Sequence, residues 1–525
     1  MRRRPGAAAA VGADAAPSGG VSAPPGDAGS DGQRDLVVGG LWRVAATLLP
    51  MVSALALSVV VSRVLGPEGL GLQSLLSYIQ AFVLSTFVLS LTQAGIQLMS
   101  SARGAGDDRS LYWLRRWSLQ AHAVVGVLLA AGLLGLGGLR DEPMLLWVLV
   151  AGTALVDAAA YALTVRVVAV EGWSRVSQRR LVSQGLGPLL GVAAVLGGLG
   201  VTGVFLGQAV GSAYLLVALL RLQRRVPPAP QAGPRVPLRP VARLWLGFVV
   251  SLALIQVVER RVELVFLDAF ATDRAVGLFA ACFTLVSVAT AVMTALTGTA
   301  MPAVARVQAA GGAARVDAAL GRALRVLVAI GATLVADFLA LGPSLLVALY
   351  GEDFAGAGGL LRGLSLALLP STAAGALAAY WLGVGRVRVV VRCAAVAAGT
   401  DVALCLALVP GLGAAGAVVA AVGAQVAYAG LLLHASRHLG AVAGLGRGAV
   451  LVRPVAVVLV AGLAAGLVAT LTGPWVGLLA GAAVFGAVVL VLAPRVGMLR
   501  GDDAAWLADV VPGPGRPLVR RLARG

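Results

Sequence analysis

Apolar runs of about 20 residues recur along the whole chain, parted by short breaks rich in Gly, Pro and Arg. Each run has the length a helix needs to cross a hydrocarbon core of about 30 Å. Spans are predicted over residues 40–62, 72–99, 118–139, 144–165, 181–200, 202–220, 244–267, 276–300, 324–349, 360–383, 388–408, 413–434, 450–472 and 474–493. A transmembrane barrel would instead show alternating segments of about 10 residues. The pattern therefore predicts an all-α integral membrane protein of about fourteen transmembrane helices.

The runs fall into two related halves. Ser62–Phe82 lines up with Leu267–Ser287, with Gly71 over Gly277, and Gly197–Arg221 echoes Pro410–His434. Between them lies the Pro-rich stretch Arg224–Pro240, extended and stiff by composition. The expected organisation is a disordered cytoplasmic tail (1–35), a first six-helix bundle (36–222), a linker (223–243), a second six-helix bundle (244–438), two additional transmembrane helices (449–493) and a cytoplasmic tail (494–525). Repeats of this size are how many transporters are built, with substrate bound at the repeat interface near the midplane.

Composition agrees: 59% of the 525 residues are hydrophobic, 12% are charged, and the mean hydropathy is +0.92. The net charge of +18 comes entirely from Arg, since Lys is absent. Its distribution gives it meaning. Loops on the side of the N-terminus carry nearly all of the loop Arg, whereas the opposite loops hold Arg63, Arg140, Arg274 and Arg362. Arg concentrates in the cytoplasm, so both termini are expected inside a multi-pass plasma-membrane protein. The charge then reads as topology and anionic-lipid contact, with no nucleic-acid partner. Cys282, Cys393 and Cys405 fall in apolar runs and read as packing residues, and His122, His434 and His438 do not cluster as metal ligands. No cofactor is expected, and no G-x-x-x-x-G-K-S/T phosphate loop occurs.

Four stretches in order carry a resemblance. The run R-x-L-G-P-E-G-x-G from Arg63 to Gly71 resembles the opening of the polysaccharide (oligosaccharide) flippases of the MATE-like superfamily, which include Wzx-type exporters of O-antigen, exopolysaccharide and teichoic-acid units. DRAVGLFAACFTL (Asp273–Leu285), LYGEDFAGAGGLLRGLSLALL (Leu349–Leu369) and TDVALCLALVPGLGAAGAVVA (Thr400–Ala420) are similar to later segments of that family. Asp401 and Cys405 stand where the family has Asn. The resemblance covers residues 36–495 and implies two six-helix bundles around a central cavity, alternating access, and a polyprenyl-pyrophosphate-linked glycan as cargo for cell-surface polysaccharide biosynthesis. It also implies membrane lipids and a glycan polymerase or glycosyltransferase as partners. Lipid II flippases of the same superfamily share the fourteen-helix plan, but their first helix typically ends in Arg-Asp or Arg-Glu, which Arg63–Glu68 does not match.

The candidate chemistry lies in charges buried in apolar runs. In Ile255–Phe266 (IQVVERRVELVF), about 100° per residue places Gln256, Glu259, Arg260 and Glu263 on one helical face and Arg261 on another. A charge at the bilayer centre costs about 2.5–3.5 kcal/mol, so these groups need water, partners or substrate. Arg260, with Arg261 as the other choice, is expected to meet a pyrophosphate, to which a planar guanidinium fork is suited. Glu259 and Glu263 would hold it between cargoes or bind a coupling cation. The plain alternative is a self-neutralised structural network. Arg43 could guard the cytoplasmic mouth or anchor the interface. Asp337, Asp157 and Asp401 are ion-coupling candidates. Asp157 with Tyr161 reads equally as cavity lining or as a buried hydrogen-bonded pair. The rivals are a drug or cation antiporter of the same superfamily, a membrane glycosyltransferase or polymerase (for which the loops opposite the termini are too short), and a silent scaffold.

Overall fold

The computed structural model describes residues 31–171, 173–224, 238–259, 262–297, 304, 312–445 and 449–496. Two compact units separate, residues 1–47 and Leu48–Gly525. Of the first, residues 31–47 are described, and they are helical, so helix begins inside the stretch expected as a tail. The other described residues all belong to the second unit.

Among the described residues, eleven stretches are long and apolar enough to cross a membrane. Two of them, Leu49–Gly104 and Arg175–Gln223, are 56 and 49 residues long, enough for two passes each, and Val455–Leu471 is a shorter apolar helix, which is consistent with about fourteen spans. Large apolar side chains face outward along the spans, among them Leu128, Leu189, Leu463 and Leu479. These are features of a multi-pass membrane protein.

The first bundle contains α1 (Asp31–Val83), a π turn (Leu84–Leu89), α2 (Ser90–Gly104), α3 (Asp108–Gly137), α4 (Met144–Glu171), α5 (Trp173–Ala194), a second π turn (Val195–Leu199) and α6 (Gly200–Gln223). Within α1 the helix is broken at Gly66, whose φ of +69° an L side chain rarely adopts. Pro67 comes next, suited to open a new helix. Leu57 and Ser77 would lie about 30 Å apart on a straight helix, yet both line one cavity, so the chain folds back between them. Then α5 and α6 cross on bare backbone. A Cβ on Gly207 would sit 2.3 Å from the Gly191 nitrogen, closeness that small residues alone permit.

The second bundle contains α7 (Leu238–Glu259), α8 (Glu263–Phe270), α9 (Asp273–Thr297), α10 (Ala313–Tyr350), a 3₁₀ turn (Glu352–Ala357), α11 (Gly358–Ser365), α12 (Leu368–Gly383), α13 (Val387–Leu412) and α14 (Ala414–Ala435). Of the span expected over 244–267, α7 carries the part up to Glu259 and α8 the part from Glu263, and residues 260–261 lie outside the described residues. Pro343 inside α10 removes the donor that the Leu339 carbonyl would have had, and Arg362 Nε supplies one at 2.9 Å. After a short α15 (Gly440–Leu445), α16 (Ala449–Leu471) and α17 (Pro474–Val496) pack on α10, where Ala336 and Leu341 meet Ala461, Ala465 and Phe485.

The largest apolar core straddles the two bundles, joining Val61, Leu76 and Trp147 to Leu264, Phe279, Tyr350 and Phe354. The bundles meet where the Arg-poor loops lie. Arg140 donates two hydrogen bonds to Asp268, at 2.9 and 2.6 Å, and a third to Glu142 at 3.1 Å. Its hydrogen bonding to Asp268 holds the Arg140 guanidinium above its ordinary pKa. Arg63 Nε and Nη2 reach the carbonyls of Leu349 (2.9 Å) and Ala348 (2.5 Å), which lie in the last turn of α10. Gly71 and Gly277, paired by the repeat, touch in space. A Cβ on Gly277 would fall 1.8 Å from the Pro67 carbonyl oxygen, and one on Gly71 would fall 2.9 Å from the Gly277 nitrogen. Equivalent residues of two repeats meet in this way on a pseudo-two-fold axis.

Candidate functional site

The polar groups inside the apolar body gather in two places. The first lies where α7, α8 and α13 meet. The description of α7 runs to Glu259, and α8 begins at Glu263 after Val262 in a turn. The Val258 carbonyl accepts from Gln425 Nε2 of α14 at 2.7 Å.

Glu263 is 2% exposed and Asp401, on α13, is 1% exposed. Cys405 Sγ donates to Asp401 Oδ1 at 3.7 Å. Tyr78 and Cys405 lie near both Glu263 and Asp401. Tyr78 belongs to the half of α1 after Gly66, so the acid cluster spans the seam between the bundles. Gln256, near the described end of α7, reaches across the same seam to Ser85 Oγ and the Ala81 carbonyl. Higher on α7, Trp245 Nε1 donates to Ser90 Oγ at 2.9 Å. Both contacts fall at the ends of the π turn Leu84–Leu89, a distortion often found at functional sites.

The second place is a cavity of about 360 Å³ within the first bundle. Its polar lining is Gln73 and Ser77 of α1, Asp157 and Tyr161 of α4, Arg180, Ser183 and Gln184 of α5, and Gln208 and Ser212 of α6. Asp157 shares this lining with Ser212 and Arg180. The Arg180 guanidinium sits 4.7 Å from the centre of the Tyr161 ring. Behind the cavity, Gln208 Nε2 donates to Gln80 Oε1 at 2.7 Å and Gln80 Nε2 to the Val150 carbonyl at 3.2 Å.

Of the residues singled out in the sequence, Gln256, Glu263 and Asp401 come together at the bundle seam, and Asp157 lines the first-bundle cavity with Tyr161. Asp337 lies apart, half-buried on α10, where α16 packs against its neighbours Ala336 and Ala340. Arg260 and Arg261 lie outside the described residues, as do the side chains of Arg43 and Glu259. Sequence reasoning passed over Gln73, Arg180, Gln208 and Gln425. A signal for the cavity was present, because Gln73, Ser77 and Gln80, and separately Gln208 and Ser212, are polar residues one helical turn apart in apolar runs. Among the described residues no group of acids, His and Cys is arranged to hold a metal ion.

No protein-family model matches the chain, and no curated protein matches its sequence. Solved structures do match its fold. The lipid II flippase MurJ, in an inward closed conformation, superposes with a TM-score of 0.67 at 11% identity, covering 86% of this chain and 97% of its own. An inward-facing multidrug resistance MATE transporter of the MOP superfamily superposes with a TM-score of 0.59 at 16% identity, over 76% of this chain and 99% of its own. A MOP-superfamily transporter from Pyrococcus furiosus, whose binding pocket is described as having reverse polarity, gives a TM-score of 0.53 at 16% identity over 76% and 96%. The chain has the fold shared by the transporters and flippases of the MOP superfamily.

Proposed function

We propose that the protein is a flippase that moves a polyprenyl-pyrophosphate-linked oligosaccharide from the inner to the outer leaflet by alternating access, for cell-surface polysaccharide biosynthesis. The observation that supports this reading is the pair of buried carboxylates, Glu263 of α8 and Asp401 of α13, inside an apolar body whose core joins two related bundles. Burial of such groups is costly and is retained where a polar cargo or ion passes. Arg260, with Arg261, meets the pyrophosphate. Gln256 and Glu259 position it, and Arg43 guards the cytoplasmic mouth. Glu263 and Asp401, both buried, form the coupling site, at which a cation or proton offsets their charge. Asp337 and Asp157 are further ion-coupling candidates. Polar contacts across the Arg-poor end, such as that of Arg140 with Asp268, can be broken and remade, which supports an alternating mechanism. Free energy comes from an ion gradient, from the membrane potential or from consumption of flipped cargo by a partner polymerase or glycosyltransferase. The enclosing membrane is the plasma membrane, with both termini cytoplasmic, as the Arg distribution favours.

Lipid II as cargo is a second reading, favoured by one observation. The match to MurJ covers 86% of the chain and the matches to MATE transporters 76%. A drug or cation antiporter fits less well, because Arg is mixed with acids in the polar interior. The test is transport by proteoliposomes offered a polyprenyl-pyrophosphate oligosaccharide, lipid II or a cationic dye. Faster flipping of the first supports the main reading, of the second the alternative, and dye accumulation without flipping of either lipid defeats both.

A further inference from the structure

The first-bundle cavity has a chemistry of its own. It contains one carboxylate, Asp157, and one guanidinium, Arg180, so its formal charge is zero. An anion such as pyrophosphate would lie beside Asp157, and a cation would lie beside Arg180. Neither charge class gains in a site that holds the opposing pair.

The unengaged hydrogen-bonding groups are of both kinds. Arg180 presents five N–H donors, and its guanidinium lies over the face of Tyr161 in a lining that it shares with Asp157. The Tyr161 hydroxyl, able to donate and accept, has no hydrogen bond among the described residues. Gln208 is held in one orientation by a relay. The Val150 carbonyl takes the amide nitrogen of Gln80, and the Gln80 oxygen takes the amide nitrogen of Gln208. The Gln208 oxygen is thereby turned away from Gln80 as a fixed acceptor. Pro188 removes the helical donor to the Gln184 carbonyl, another acceptor at the cavity wall. Donors and acceptors that alternate around a neutral pocket suit groups that also do both, and hydroxyls are such groups. The volume of about 360 Å³ lies at the small end of ligand pockets, which run from about 300 to 1,000 Å³. It suits part of a glycan and not a whole repeat unit.

We propose that this cavity is a subsite for a neutral, hydroxyl-rich sugar unit of the cargo's head group, bound by Asp157, Tyr161, Arg180 and Gln208. The identity of the cargo rests on the flippase reading, whereas sugar binding is measurable without transport. Cys282, Cys393 and Cys405 are buried, so a thiol introduced at the cavity can be read against a quiet background. Ser77→Cys places one in the cavity wall and Gln184→Cys one at an exposed position of the lining, and both are used so that misfolding of one does not silence the test. The rate of maleimide labelling of the full chain in detergent is measured with maltose, N,N′-diacetylchitobiose, inorganic pyrophosphate or tetramethylammonium.

At least one disaccharide is expected to slow labelling about threefold at twice its dissociation constant. Asp157→Asn and Gln208→Ala are each expected to remove that protection, while pyrophosphate and tetramethylammonium leave the rate unchanged. Protection by pyrophosphate or by the ammonium ion overturns the proposal. So does a lack of protection by both sugars, or sugar protection that survives both substitutions. Lost protection with intact flipping removes the subsite alone. Intact protection without flipping removes the transport reading and leaves a sugar site.

Discussion

Arg140 and Asp268 form a two-pronged ion pair, with nitrogen–oxygen distances of 2.9 and 2.6 Å, between the loop after α3 in the first bundle and the end of α8 in the second. Their side chains are 24% and 19% exposed, so solvent screens the pair only in part. Such a pair contributes about 1–2 kcal/mol, between the values for an exposed ion pair and a charged hydrogen bond. Asp268→Asn is expected to shift the population away from the state closed at the Arg-poor end about 5- to 30-fold. Spin-label distances across that end, measured with and without the substitution, check the shift.

The contact of Gly71 with Gly277 allows no side chain. The Pro67 carbonyl would lie 1.8 Å from a Cβ on Gly277, and backbone cannot yield as a flexible side chain does. Gly277→Ala is therefore expected to cost about 1–3 kcal/mol of the closed arrangement, as overpacking does. Gly247→Ala, whose Cβ would meet nothing within 4 Å, serves as the control and is expected to be neutral or stabilising. Thermal unfolding of both variants in detergent separates them.

Arg63 caps α10 from the opposite bundle through two carbonyls. A lysine delivers its charge from one point and has no fork to serve both. Arg63→Ala is expected to speed amide exchange in the last turn of α10, and Arg63→Lys to restore protection only in part. Hydrogen exchange read by mass spectrometry on the peptide around Leu349 decides it.

Gln425 has a structural task that its place in an apolar helix conceals. Replacing it by Leu leaves the Val258 carbonyl without its side-chain donor in the bundle interior, at a cost of about 1–3 kcal/mol. Gln425→Leu is expected to lower the unfolding temperature and slow transport together, whereas Asp401→Asn is expected to slow transport with a smaller loss of stability. Paired melting and flipping measurements distinguish the two.

The division of legibility comes from how a bilayer acts on a chain. Helix length is dictated locally, because every backbone group in hydrocarbon must be satisfied within its own segment. The spans and the reversal at Gly66-Pro67 could accordingly be read from composition and spacing, and so could the pairing of Gly71 with Gly277. Side-chain partners are set by tertiary packing instead. Arg63 reads as a loop residue until the carbonyls of Ala348 and Leu349 are found beside it. Asp268 likewise reads as a loop-edge acid until Arg140 reaches it. Gln425 gives no sign in sequence of its bond to Val258. The first-bundle cavity was half legible, since Asp157 and Tyr161 stand out on α4 but Arg180 sits among the arginines of the Arg-rich end.

The most direct measurement is the initial rate at which a fluorescent polyprenyl-pyrophosphate oligosaccharide crosses the bilayer of proteoliposomes, for wild type and for Arg260→Ala. Wild type is expected to flip the lipid well above protein-free vesicles. The variant is expected to lose about ten- to a hundredfold of that rate, corresponding to a lost charged hydrogen bond. Wild-type flipping no faster than in empty vesicles under any imposed ion gradient would contradict the account.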